Sequence, residues 1–95
     1  MTQRAFDEGM IQELYQAFVA LGSQEDCKQL LEDLCTRKEV EQMAQRLRAA
    51  KLLMEGKTYT QVIEQTNISS ATLSRVSRCV QYGEGYRKFV TPEEK

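Results

Sequence analysis

Between Ile11 and Val80 the apolar residues recur at intervals of three and four, and the single proline, Pro92, comes only after that stretch. Such spacing lays side chains along one face of a helix with 3.6 residues per turn, and no segment shows the strict alternation of a half-buried strand. With no internal proline, nothing removes a backbone donor or clashes with a preceding turn. The pattern predicts an all-α, multi-helix fold, and at 95 residues the chain, 1–95, allows one domain.

Local signals divide the pattern into elements. Ile11, Leu14, Tyr15, Phe18 and Leu21 form one helical face that ends at Gly22. Ser23 is placed to cap a second helix carrying Cys27, Leu30, Leu31 and Leu34. Thr36-Arg37-Lys38-Glu39 is a capping-box pattern opening the longest helix, whose apolar positions Val40, Met43, Ala44, Leu47, Ala50 and Met54 run to Gly56. These faces are wide for a chain that buries only about 60% of its unfolded surface. Phe6, Met10, Tyr15 and Phe18 are accordingly candidates for packing on a second copy of the chain, with 1–56 as a helical dimerisation region.

Beyond Gly56 the spacing tightens. Thr58-x-x-Gln61 is a second capping-box pattern and predicts a helix of about two turns. Asn67 stands where a tight turn needs left-handed dihedrals, which asparagine tolerates better than other non-glycine residues. Ser69 or Ser70 then caps a helix with Leu73, Val76 and Val80 inward. With Val62 and Ile68, these are the buried positions of a helix-turn-helix over 57–82, and a helical hairpin of no particular function would share them. The exposed start of the second helix is small and hydroxyl-rich (Ser69, Ser70, Ala71, Thr72, Ser74), with Arg75 and Arg78 behind. Small side chains let a helix enter a major groove about 12 Å wide, hydroxyls and methyls touch base edges, and helix amides bind phosphate. In 83–95, Gly83 and Gly85 interrupt the helix, leaving Tyr86-Arg87-Lys88-Phe89 as a short terminal helix or a flexible tail.

Charge supports a polyanionic partner. Residues 1–45 hold four basic and nine acidic side chains, a net −5, whereas 46–88 hold eight and three, a net +5, inside a total of −1. A solvated helical protein with uneven charge fits the same totals. Local charge nevertheless governs contact when the screening length is about 10 Å.

Other classes fare worse. The chain has no histidine, and Cys27, Cys35 and Cys79 form no CxxC, so neither a zinc site nor the commonest general base is available. Cys35 and Cys79 are the candidate nucleophiles, with no base in any readable motif, so an enzyme is not expected. No apolar run is long enough to span a membrane, and the first ten residues lack a signal-peptide apolar region. Together with the odd cysteine count, this predicts a cytoplasmic protein with reduced thiols and no membrane partner.

Gln45-Arg46-Leu47-Arg48, Leu52-Leu53-Met54-Glu55-Gly56 and Ser70-Ala71-Thr72-Leu73-Ser74-Arg75, in this order, resemble the Trp repressor family. They are closer still to its TrpR-related YerC/YecD branch. The similarity covers about residues 30–82. The resemblance implies an intertwined all-helical homodimer with one helix-turn-helix per subunit, acting on double-stranded DNA as a sequence-specific transcriptional regulator, a repressor. It maps groove-facing positions onto Ser69, Ser70, Ala71, Thr72 and Ser74, with Tyr59 and Thr60 near the DNA backbone. Ser70, Thr72 and Ser74 are expected on bases, and Lys57, Thr60, Arg75 and Arg78 on phosphates. Tyr59 has packing beneath the motif as its alternative.

In the family a corepressor indole lies between two arginines, and Arg46 and Arg75 match them. Guanidinium planes stack on aromatic rings and pair with carboxylates. Two neighbours differ: Val76 replaces a glycine, and Cys79 replaces a serine that helps hold the ligand's amino group. A β-branched side chain takes volume and a thiol is a weaker hydrogen-bond partner, so tryptophan is disfavoured and any small-molecule corepressor at Arg46, Arg75 and Cys79 is unidentified. Contact with phosphates or glutamates is the alternative role of the two arginines. The rival reading of the whole chain is a helical protein–protein interaction module without specific DNA binding, acting through the apolar faces of the first two helices.

Overall fold

A computed structural model describes residues 7–90, which form six α-helices and, among the described residues, no strand. They fall into two compact units divided between Thr36 and Arg37.

The first unit holds α1 (Glu8–Val19) and α2 (Gln24–Leu34). Asp7 caps α1, its carboxylate accepting the Gly9 N–H at 2.8 Å. The helix stops three residues before Gly22, because that glycine's N–H is held by the Asp26 carboxylate of α2 at 3.0 Å and belongs to the start of the next helix. Ser23 caps α2 by accepting the Asp26 N–H at 3.0 Å. Neither helix contains a buried residue. Met10, Leu14, Tyr15, Phe18, Val19 and Leu34 are all exposed. Phe6 lies outside the described residues.

The second unit holds α3 (Arg37–Met54), α4 (Tyr59–Thr66), α5 (Ser70–Tyr82) and α6 (Gly85–Phe89). Its core is Ala49, Ala50 and Leu52 from α3, Val62 from α4, Ile68 from the turn, and Leu73 and Val76 from α5. Leu53, Ile63, Val80 and Tyr86 pack around it. Only the C-terminal half of α3 enters this core. Of the six positions expected along its apolar face, Ala50 alone is buried, while Ala44 and Leu47 are exposed. The reason is length: α3 extends about 27 Å at 1.5 Å per residue, and all its buried residues lie between Ala49 and Leu52.

The end of α3 is built by Gly56, whose φ of 95° is left-handed. Gly56 N–H donates to Leu53 O at 3.0 Å and Lys57 N–H to Leu52 O at 3.1 Å, the paired bonds of a Schellman motif. Of the terminal segment 83–95, the part carrying Tyr86-Arg87-Lys88-Phe89 is helical, and 91–95 lie outside the described residues.

Asn67, at φ 62° and ψ 24°, is the one described non-glycine residue with positive φ. Replacing Asn67 by alanine should cost about 1 kcal/mol, the penalty of a Cβ in left-handed backbone, whereas Asn67→Gly should cost less. Urea unfolding of the two variants measures the difference.

Candidate nucleic-acid interface

The α4–α5 pair is held by a chain of local bonds and one long one. At the start of α4, Thr58 Oγ1 accepts the Gln61 N–H at 3.2 Å and Gln61 Oε1 accepts the Thr58 N–H at 2.8 Å, a complete capping box. At its end, Thr66 Oγ1 donates to Val62 O at 2.7 Å and accepts the Ile68 N–H at 3.3 Å, so one hydroxyl ties the helix to the turn. Asn67 N–H closes the last turn onto Ile63 O at 2.8 Å. Across the unit, Gln45 of α3 donates from Nε2 to Thr66 O at 3.0 Å. This half-buried bond fixes the turn to α3. Neither Gln45 nor Thr66 was singled out for this role from sequence, since their partnership spans 21 residues and leaves no periodic trace.

The first turn of α5 is capped by Ser69, one of the two serines expected there. Ser69 Oγ accepts the Thr72 N–H at 3.2 Å and donates to Thr72 Oγ1 at 3.0 Å. A hydroxyl has a single proton, so Ser69 keeps only acceptor capacity for an outside partner, while Thr72 retains its own proton. Ser70, Ala71, Ser74, Arg75 and Arg78 are exposed, and Thr72 is half-buried. At 100° per residue, Ala71, Ser74, Arg75 and Arg78 lie on the side of α5 away from Leu73, Val76 and Val80. Tyr59 and Thr60 are exposed in the first turn of α4, and Lys57 is half-buried just before it. The Tyr59 side chain is 45% exposed.

A second arrangement lies behind this face. Thr72, Arg75, Val76 and Cys79 follow i, i+3, i+4, i+7 spacing along α5, and with Arg46 of α3 and Tyr86 of α6 they line a cavity of about 320 Å³. The fold thus gathers Arg46, Arg75 and Cys79 around one space. Neither arginine has a carboxylate within ion-pair distance among the described residues, where the pairs Lys28–Glu32 and Arg37–Glu41 lie elsewhere. Two uncompensated guanidiniums beside an aromatic ring suit a planar organic anion. Tyr86 was missed as a wall of this cavity because it lies beyond the two glycines, where helical spacing is lost. An adjoining apolar cleft of about 450 Å³ shares Cys79 and Tyr86 and adds Leu47, Gly83, Gly85 and Val90. Among the described residues no group of histidines, cysteines or carboxylates could hold a metal ion, and no helix is long and apolar enough to cross a membrane.

The chain and its fold have relatives among known proteins. Residues 9–94 match the Trp repressor protein family model. The uncharacterized protein YerC of Bacillus subtilis is 41% identical over 73 residues, covering 77% of this chain and 70% of that one. Among solved structures, a candidate Trp repressor from Staphylococcus aureus superposes with a TM-score of 0.79 at 38% identity, covering 83% of this chain and 80% of its own. A TrpR-like protein from Eubacterium eligens does so with a TM-score of 0.82 at 34% identity, covering 90% and 94%. The chain therefore belongs to the Trp repressor family, in its TrpR-related YerC branch, a family of DNA-binding transcription regulators and not of enzymes.

Proposed function

We propose that the chain is a cytoplasmic, homodimeric transcriptional repressor that reads a palindromic operator in double-stranded DNA through α5. The observation that carries this reading is the exposed, hydroxyl-and-arginine face of α5, presented by a turn that Gln45 holds through Thr66 O at 3.0 Å. In this reading Ser70, Thr72 and Ser74 address base edges, with Ser69 and Ala71 at the groove wall. Lys57, Thr60, Arg75 and Arg78 neutralise or hydrogen-bond phosphates, and Tyr59 lies along the backbone. Two such helices enter successive major grooves about 34 Å apart. Hydroxyl contacts discriminate bases less sharply than a bidentate arginine–guanine pair, so ordered water and DNA shape carry part of the specificity.

The homodimer is supported by α1 and α2, which bury nothing yet present Met10, Leu14, Tyr15, Phe18 and Leu34 to solvent. Large apolar faces of this kind mark association surfaces. The cavity between Arg46, Arg75 and Cys79 is the place for a small-molecule corepressor. Val76, 2% exposed, forms part of its wall. The same apolar faces favour the rival reading, an interaction module without specific DNA binding, which predicts no enrichment of any duplex.

Selection from a random pool of duplexes should enrich a palindrome, with affinity falling steeply as salt rises. Thr72→Arg and Ser70→Glu should each abolish that specific binding while helicity by circular dichroism stays unchanged. Arg78→Ala should weaken binding uniformly across sequences and lower the salt slope by about one. Added tryptophan should leave the affinity unchanged, because Val76 and Cys79 line its slot. In sedimentation the chain should run at twice its 10.9 kDa mass, and Phe18→Glu should shift it toward the monomer.

A further inference from the structure

The last turn of an α-helix leaves four carbonyls without intrahelical partners, and in α5 these belong to Cys79, Val80, Gln81 and Tyr82. Three of them are satisfied by the segment that follows. Gly83 N–H takes Cys79 O at 2.9 Å. Arg87 of α6 reaches back seven and six residues: Nε donates to Val80 O at 2.9 Å and Nη2 to Gln81 O at 2.6 Å. A guanidinium fork with its charge at the negative end of the helix dipole makes both bonds charge-assisted. The connection can double back this closely because residue 83 is glycine. A Cβ there would stand 2.8 Å from Cys79 O, a backbone atom that cannot step aside.

The neighbouring side chain acts on the same helix. Tyr86 is half-buried and packs against the core cluster. Its cavity is walled by Arg46 of α3 on one side and by Thr72, Arg75, Val76 and Cys79 of α5 on the other. Val90, past the end of α6, joins Leu47 of α3 in the adjoining cleft. Five helical residues thus engage α5 twice: at its final carbonyls through Arg87, and through Tyr86 packed against the core cluster to which Leu73 and Val76 of α5 belong.

We propose that Tyr86 and Arg87 are positioning residues for the DNA-reading helix, holding α5 against α3 without touching DNA themselves. The inference rests on the reading of α5 as the recognition helix. Side chains that must meet base edges need supporting residues that lock the element carrying them. Here Arg87 restrains the end of α5 remote from the turn, and Tyr86 packs on the core cluster that Leu73 and Val76 of α5 help to form. Loosening either grip lets α5 tilt or fray while the core of Leu73, Val76, Ala49 and Ala50 stays formed.

The test compares wild type with Tyr86→Ala, Tyr86→Phe and Arg87→Gln on the palindrome enriched from the random duplex pool, across a salt series. Tyr86→Ala and Arg87→Gln should bind roughly threefold to thirtyfold more weakly, an effect of the size found for mutations that modulate a site without touching its ligand. Their salt slopes and far-ultraviolet circular dichroism should match wild type. Tyr86→Phe keeps the ring and should bind like wild type. In Arg87→Gln, amide exchange should quicken in the last turn of α5 and not at Leu73 or Val76. Wild-type affinity in both Tyr86→Ala and Arg87→Gln overturns the proposal. A salt slope lower by about one in Arg87→Gln also overturns it, since Arg87 would then be a phosphate contact. If Tyr86→Ala fails to fold, Arg87→Gln alone decides, because Arg87 is exposed and its loss leaves the core intact. A wild-type chain that enriches no duplex removes the DNA reading, and the positioning role with it. Binding by wild type and equal binding by the variants removes the positioning role alone.

Discussion

Everything in the second unit depends on how closely α3 and α5 approach, and that approach is set by two methyl groups. Ala49 and Ala50 are fully buried beside Leu73, Val62 and Val76. Small side chains on α3 allow the larger ones of α4 and α5 to fill the space above it at interior density. A bulkier residue at either alanine would displace α5, and with it the hydroxyl face, the cavity and the helix end that Arg87 holds. The proposed DNA-reading surface is therefore specified from behind, by residues that are buried in the core.

The two units divide the labour of folding unequally. The second has a core of its own, with every helix contributing a side chain to it or packing against it. The first has capped helices and no buried residue. Capping and local ion pairs such as Lys28–Glu32 at 2.8 Å give helices of eleven or twelve residues little stability in water. Their apolar side chains are the natural complement of another surface, and the proposed second copy would supply one.

How legible this was in the sequence depended on range. The Ser23, Thr58 and Ser69 caps, the left-handed Asn67, the terminal glycine of α3 and the inward Val62, Ile68, Leu73 and Val76 follow from neighbours within four residues, and each was predictable. The stop of α1 was not, because Gly22 is claimed by Asp26 and not by the helix before it. Nor was the partial burial of α3, since periodicity marks a face without saying how far along it another helix reaches. At the candidate site, Arg46, Arg75 and Cys79 came from resemblance, and their convergence on one cavity needed the fold. Gln45 on Thr66, Tyr86 in the cavity wall and Arg87 on the carbonyls of α5 were illegible. Each is a tertiary bond or contact between residues whose types have ordinary surface uses.

The bend between α5 and α6 has a consequence for which side chains it admits. Its two glycines look equivalent in the string Tyr82-Gly83-Glu84-Gly85. At Gly85 an added Cβ would meet nothing within 4 Å, so many side chains are tolerated there. At Gly83 it would collide with the main chain of the preceding helix, so substitution forces the bend open. A side chain at the first position is thus incompatible with α6 folded back as it is, and one at the second leaves the bend unchanged.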